Sequence, residues 1–194
     1  MSAVFLDVDT QLDFLYPAGA LYVPTAERLV PAIAQLNRYA AARGIPVIST
    51  TDAHAENDPE FATWPKHCVA GAIGQHKPAA TLLDRRVVAP HAIEGAQQIV
   101  VEKQTVDVFQ ARDFQPLLES LNPDSFVVYG VVTEICVLFA VRGLWKLGKP
   151  VTVVADAIQS LTAEGNRAAL EEMRAAGVLF STTGEVTSRR NVAG

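Results

Sequence analysis

The sequence predicts an α/β protein, a parallel sheet covered on both faces by helices. Short runs of β-prone residues alternate along the chain with segments of helical period, as in strands joined by helical crossovers. The first run, Ala3 to Val8, is apolar apart from Asp7 and reads as a buried strand. Residues capable of chemistry then recur just beyond such runs, at the carboxyl ends where sheets of this kind bind ligands.

In chain order, the first strand ends at Asp9, and Pro17 and Gly19 mark Thr10 to Val23 as a loop. Pro31 suits the first turn of a helix that continues through Ile33, Leu36, Asn37 and Ala40, and Gly44 sits where a helix stops. Pro46-Val47-Ile48-Ser49-Thr50 is the second strand, followed by Asp52 and His54. Ala55 to Arg86 lacks periodicity, and a loop that long inside a domain is usually functional. Gln98 to Val101 is the third strand with Lys103 just after it, and a helix follows around Phe114 to Leu121, closed by Asn122-Pro123. Phe126 to Tyr129 is the fourth strand; Gly130 and a short turn lead to a helix over Ile135–Leu147, with Cys136 in its first turn. Pro150 to Ala155 is the fifth strand, ending at Asp156. Thr162 caps a helix stopped by Gly177, and Val178 to Ser181 is the sixth strand. The tail from Ser188 to Gly194 is small and polar.

Composition narrows the function classes. The 194 residues fit one domain spanning 1–194, with 49% hydrophobic and 19% charged residues. A net charge of −5 offers no footprint for nucleic acid or an anionic membrane. Two cysteines, Cys68 and Cys136, are too few for a disulfide framework and read as reduced thiols. The N-terminus lacks a basic region or cleavage site, and no apolar run approaches membrane-spanning length; the expectation is a cytoplasmic protein.

Two constellations carry chemistry. A thiol in the first turn of a helix meets unpaired N–H groups and a dipole that favour the thiolate. Attack on a carbonyl further needs a base, a cation and oxyanion donors. Asp9 can serve as base, Lys103 as cation, and the N–H groups of Val132 and Cys136 as oxyanion hole. Separately, Asp52-x-His54 projects two ligands to one side of an extended segment, and His67 in Trp64-Pro65-Lys66-His67-Cys68 supplies a third. Carboxylate plus imidazole suits Zn²⁺, Fe²⁺ or Mn²⁺. Glu56, Asp58 and Glu60 are candidates for a further ligand, while Cys68, beside His67, is expected to point into the protein.

Together these residues resemble the nicotinamidase branch of the isochorismatase-like cysteine hydrolases. The matching pieces are Asp9-Thr10-Gln11-Leu12-Asp13-Phe14, Thr51-Asp52-Ala53-His54, Trp64-Pro65-Lys66-His67-Cys68-Val69-Ala70-Gly71, Lys103, Gly130 to Val137, and Asp156-Ala157 at a strand end. The resemblance implies a three-layer α/β/α fold with a six-stranded parallel sheet of order 3-2-1-4-5-6, and an Asp9–Lys103–Cys136 triad. It also implies a cis peptide at Val131–Val132, a divalent metal on Asp52, His54 and His67, and a substrate ring between Phe14 and Trp64. Relatives carry a further histidine six residues after His54; this chain has Glu60 there, the choice for the further ligand. The implied activity is hydrolysis of nicotinamide to nicotinate and ammonia through a thioester, with a zinc cofactor, in a homo-oligomer.

Two other readings are open. One is a metal-independent cysteine amidase of the same superfamily acting on a carbamoyl or ureido group; the other is an inactive binding protein on the same fold. The strand order also sets a geometric demand. The third and fourth strands stand three positions apart, roughly 14 Å at ordinary spacing, so Lys103 must reach inward to meet Cys136.

Overall fold

The structure is a computed structural model that describes residues 2–91 and 93–188; the tail beyond Ser188 lies outside them. The strands are β1 (Ala3–Val8), β2 (Val47–Asp52), β3 (Arg86–Val88), β4 (Gln98–Lys103), β5 (Ser125–Val131), β6 (Val151–Gln159) and β7 (Leu179–Ser181). All pair in parallel, in the order β3-β4-β2-β1-β5-β6-β7. The sheet therefore has seven strands among the described residues, where six are expected. Arg86–Val88, at the end of the long loop, adds a short edge strand beside β4. Three residues with half-exposed side chains carry too little periodicity to be read from sequence. The six expected strands keep their relative order inside the longer string.

The helices are α1 (Leu12–Leu15), α2 (Val30–Ala42), α3 (Phe114–Leu121), α4 (Leu138–Lys146), α5 (Ala163–Ala175) and α6 (Thr183–Ser188). Alternation along β1 splits the core between the two faces. Val4, Leu6 and Val8 pack with Phe114, Val141 and Leu144 of α3 and α4, while Phe5 packs with Ile33 and Leu36 of α2. Asp7, on the α2 face, is fully buried. Its carboxylate takes hydrogen bonds from Thr10, Ser49 and Asn37 and an ion pair at 3.0 Å from Lys77, which ties the long loop to the sheet. No helix among the described residues is long and apolar enough to cross a membrane.

Two elements depart from expectation near the carboxyl edge. The helix expected over Ile135–Leu147 begins instead as a π-helical turn, Thr133–Val137, and becomes α-helical at Leu138. Such turns recur at functional sites. The fifth expected strand does not stop at Asp156. Pairing of β5 with β6 jumps from Val128↔Val153 to Gly130↔Ile158, so Ala155 and Asp156 bulge outward and the strand resumes. Asp156 is exposed, and its Oδ1 accepts the Thr183 N–H at 2.7 Å at the start of α6. It belongs to helix capping and stands apart from the other strand-end residues.

Gly130 is the residue that lets β5 turn. Its φ is +123°, and a Cβ there would lie 2.1 Å from the Val8 carbonyl oxygen of the adjacent strand. Gly130→Ala is expected to cost roughly 2–5 kcal/mol, combining backbone strain with overpacking, measured by urea denaturation.

Candidate active site

Four neighbouring strands, in spatial order β4, β2, β1 and β5, each deliver one reactive group to the same edge. Lys103 is the last residue of β4, Asp52 the last of β2, Asp9 the first beyond β1, and Cys136 lies in the turn after β5. Asp9 has a left-handed backbone, φ 49°, which turns its side chain inward as the chain leaves the sheet. Lys103 meets the reach its strand position demands. Its stem passes over the end of β2, and its Nζ lies 2.9 Å from Asp9 Oδ2, in contact with Asp52 Oδ1, and 4.0 Å from Cys136 Sγ. Thr50 donates its hydroxyl to Asp9 Oδ1 at 2.5 Å.

The electrostatics follow from burial. Asp9 and Lys103 are each 1% exposed and Cys136 8%. Burial pushes the Asp9 carboxyl above its ordinary pKa, and the neighbouring Asp52 adds to this against the pull of Lys103. Burial opposes the Lys103 ammonium, yet Asp52 and Asp9 together hold it well above the ordinary lysine value. Burial also pushes the Cys136 thiol well up; Lys103 counters, while Asp9 and Asp52 reinforce the rise. Desolvation and the two carboxylates thus act on the thiol in the opposite sense to Lys103 and the helix end. Asp9 Oδ2 is buried without a hydrogen-bond partner, although Lys103 Nζ is 2.9 Å away as an ion pair.

The second cluster shares Asp52. The long loop returns to the end of β2 through a bridge between His54 and Val69, with the His54 N–H donating to Cys68 O at 3.1 Å. That return places His67 opposite His54. Ligand atoms of Asp52, His54 and His67 all lie within 4.8 Å of one another, and all three residues are buried. Asp52 Oδ2 is 3.8 Å from His54 Nε2 and 3.6 Å from His67 Nε2. His67 Nδ1 lies 2.6 Å from the Pro65 carbonyl, which places its proton there and turns the Nε2 lone pair to the cluster. His54 Nε2 is buried without a hydrogen-bond partner. Burial opposes ionisation of Asp52, but Lys103 and both histidines reverse this and hold the carboxyl far below the usual range. Two imidazoles, one of them with an orphaned Nε2, and a carboxylate fit a divalent transition metal.

The three candidates for a further ligand separate. Glu56 is exposed and ion-paired with Lys66. Asp58 stands behind His54, its Oδ2 3.1 Å from Nδ1, an outer position that orients the ring. Glu60 is partly buried and lines the pocket beside Asp52 and His67, outside the three-residue cluster. Cys68 points inward, its Sγ 3.9 Å from the Gly74 carbonyl.

The pocket in front of Cys136 has Asp9, Asp52 and His67 at its polar end and Phe14, Trp64, Val132, Ile135 and Leu161 as apolar walls. Phe14 is buried against His67, with ring centroids 5.4 Å apart, while Trp64 forms a partly exposed rim. The peptide Val131–Val132 is cis, as the resemblance implies. Two positioning residues were not assigned from sequence. Asp13 accepts the N–H of Ala20 at 3.0 Å and of Cys68 at 2.7 Å, pinning the loop before Leu21 and the segment bearing His67. Glu134 accepts the N–H groups of Leu161 and Thr162 at 3.0 and 3.1 Å, tying the turn that bears Cys136 to the pocket wall. Asp13 lies inside the Asp9 to Phe14 motif, a usable signal; Glu134 pairs across 27 residues, and nothing local marks it.

A parallel α/β sheet with a thiol, an ammonium and carboxylates at its carboxyl edge defines a class of hydrolytic domain, and comparison with known proteins places it. The isochorismatase domain matches residues 3–185. A nicotinamidase of Escherichia coli (strain K12) is 28% identical over 202 aligned residues, 90% of this chain and 92% of that protein. The nicotinamidase/pyrazinamidase of Mycobacterium tuberculosis is 31% identical over 183 residues, covering 88% and 94%. The solved pyrazinamidase of Pyrococcus horikoshii in complex with zinc superposes with a TM-score of 0.82 at 26% identity, covering 94% and 99%. The chain belongs to the isochorismatase family, in the nicotinamidase branch of its cysteine hydrolases.

With Cys136 at the pocket floor and Cys68 sealed, iodoacetamide at neutral pH is expected to modify Cys136 alone. Lys103→Met should slow that reaction by about tenfold or more, the loss of one pKa unit of thiolate stabilisation. Peptide mass spectrometry over time measures both.

Proposed function

We propose that the protein is an amidohydrolase that converts nicotinamide to nicotinate and ammonia. The observation that carries this reading is the row Lys103, Asp52, Asp9 and Cys136 beside a pocket walled by Phe14 and Trp64, into which Asp52 and His67 of the Asp52, His54 and His67 cluster also face. The nicotinamidases and pyrazinamidases to which the chain is similar support the same substrate class.

In this reading Asp9 takes the Cys136 proton and Lys103 offsets the charge formed between them. The sulfur adds to the carboxamide carbon, and the oxyanion is met by the N–H groups of Val132 and Cys136. Asp9 returns the proton to the leaving nitrogen, ammonia departs, and a thioester joins the acyl group to Cys136. Asp9, again a carboxylate, deprotonates a water that attacks the thioester, releasing nicotinate and the thiol. The raised pKa of Asp9 suits a group that must hold and surrender a proton within one cycle. Phe14 and Trp64 flank the ring. Asp52, His54 and His67 would hold a divalent metal, zinc by analogy with the solved relative, with Glu60 in the same pocket as the choice for a further ligand. When bound, that ion supplies a Lewis acid for the ring nitrogen.

Ammonia release from nicotinamide tests the reading. Zinc-loaded protein should turn over, Cys136→Ala should be inactive, and Asp9→Asn should lose about 10²–10⁴-fold in kcat. Absence of turnover with zinc supplied would sink the proposal, and full activity after metal removal would favour the carbamoyl-type amidase instead.

A further inference from the structure

Gln11 lies two residues beyond Asp9 and is fully buried. Its side-chain amide spans the backbone of Asp52. Oε1 accepts the Asp52 N–H at 2.7 Å, and Nε2 donates to the Asp52 carbonyl at 2.8 Å. Nε2 also donates to the Gln75 carbonyl at 2.8 Å.

The sheet explains why a side chain is needed there. β1 and β2 pair as far as Asp7 opposite Ser49. Asp9 then turns into the left-handed region and the chain leaves the sheet for α1. β2 continues to Asp52, paired on its other edge with β4 through Asp52↔Lys103. On the edge that faced β1, the buried N–H and C=O of Asp52 have lost their strand, and such groups must be satisfied. A primary amide carries an acceptor and two donors in one plane, the set a peptide neighbour would offer. Gln11 stands in for the departed strand.

We infer that Gln11 is a positioning residue that holds Asp52 facing two ways. Asp52 Oδ1 meets Lys103, while Oδ2 lies 3.6 Å from His67 Nε2 and 3.8 Å from His54 Nε2. A carboxylate divided between an ammonium and two imidazoles tolerates little displacement of its backbone. Asparagine falls one methylene short, and glutamate loses both donors. The zinc arm of the test below rests on the metal reading proposed above; the thiol arm rests on geometry alone.

Gln11→Met keeps the side-chain length and removes all three bonds. Gln98→Met is the control, since Gln98 is equally buried and also makes three bonds, with Ser49, Thr81 and Leu83, away from the pocket. Metal-stripped full-length proteins are titrated with Zn²⁺ against a chromophoric chelator, and Cys136 alkylation by iodoacetamide is timed in the metal-free proteins. Gln11→Met should bind Zn²⁺ about 10–100-fold more weakly, as for loss of a residue that orients a ligand. The rate at which its Cys136 reacts should change by about threefold or more, because Lys103, 4.0 Å from the sulfur, loses a fixed partner. Gln98→Met should lower the melting temperature yet leave both readouts within about twofold.

Unchanged zinc affinity and thiol reactivity in folded Gln11→Met would overturn the inference, as would parallel changes in Gln98→Met. If the wild type binds no zinc, the metal reading fails separately and the thiol rates alone decide the role of Gln11. Should Gln11→Met not fold, Gln11→Asn is held to the same criteria; failure of both to fold assigns Gln11 to stability and overturns the proposal.

Discussion

The ammonium of Lys103 sits between two buried carboxylates, and the rest of the site depends on that placement. Asp9 and Asp52, on adjacent strand ends, would repel one another in a dry interior; Lys103 lies 2.9 Å from the first and in contact with the second. Removing a partner from such a group strands a charge away from water, which is far more costly than losing a surface pair. The same ammonium lies 4.0 Å from the Cys136 sulfur. One side chain therefore joins the thiol chemistry to the histidine cluster, because Asp52 belongs to both.

Backbone devices, placed at the ends of strands, aim these groups. The left-handed turn at Asp9 brings the carboxylate back over the sheet edge, and Gly130 lets β5 pass within a few ångströms of the Val8 carbonyl before the cis Val131–Val132 peptide. The π-helical turn that follows sets Cys136 at the pocket floor. A regular strand running straight into an α-helix would point these side chains elsewhere. The loop from Ala55 to Arg86 is held with equal care, by Asp13 on one side and by the buried Asp7–Lys77 pair on the other. Little regular structure is needed there, since side chains satisfy the backbone groups that ladders satisfy elsewhere.

Pattern alone made the alternation of parallel strands and helices legible, while the strand order came from the family resemblance. Apolar runs in parallel strands, Pro31 in the first turn of α2, Asn122 at the end of α3 and Thr162 at the head of α5 are local signals, and the structure uses each of them. The short edge strand β3, the outward bulge at Asp156 and the π-helical turn were not legible. Each is a register or pairing event, and the sequence near it is compatible with more than one partner. Asp156 looked like the other strand-end aspartates, and only the shift in pairing between β5 and β6 turned it toward α6.

The sequence by itself determined the inventory: a thiol, a lysine, two aspartates and two histidines spaced so that strand ends and one returning loop could bring them to a single edge. Local preference and hydrophobic period suffice for that, because they act over a few residues. The tertiary structure decided the assembly. It chose which carboxylate faces Lys103, turned Glu56 out to Lys66, set Asp58 behind His54, and put Gln11 in place of a missing strand along Asp52. It also pushed the Cys136 thiol upward, against what its position in a first helical turn suggests. These outcomes depend on burial and on charges distant in sequence, quantities that exist only once the chain has closed around them.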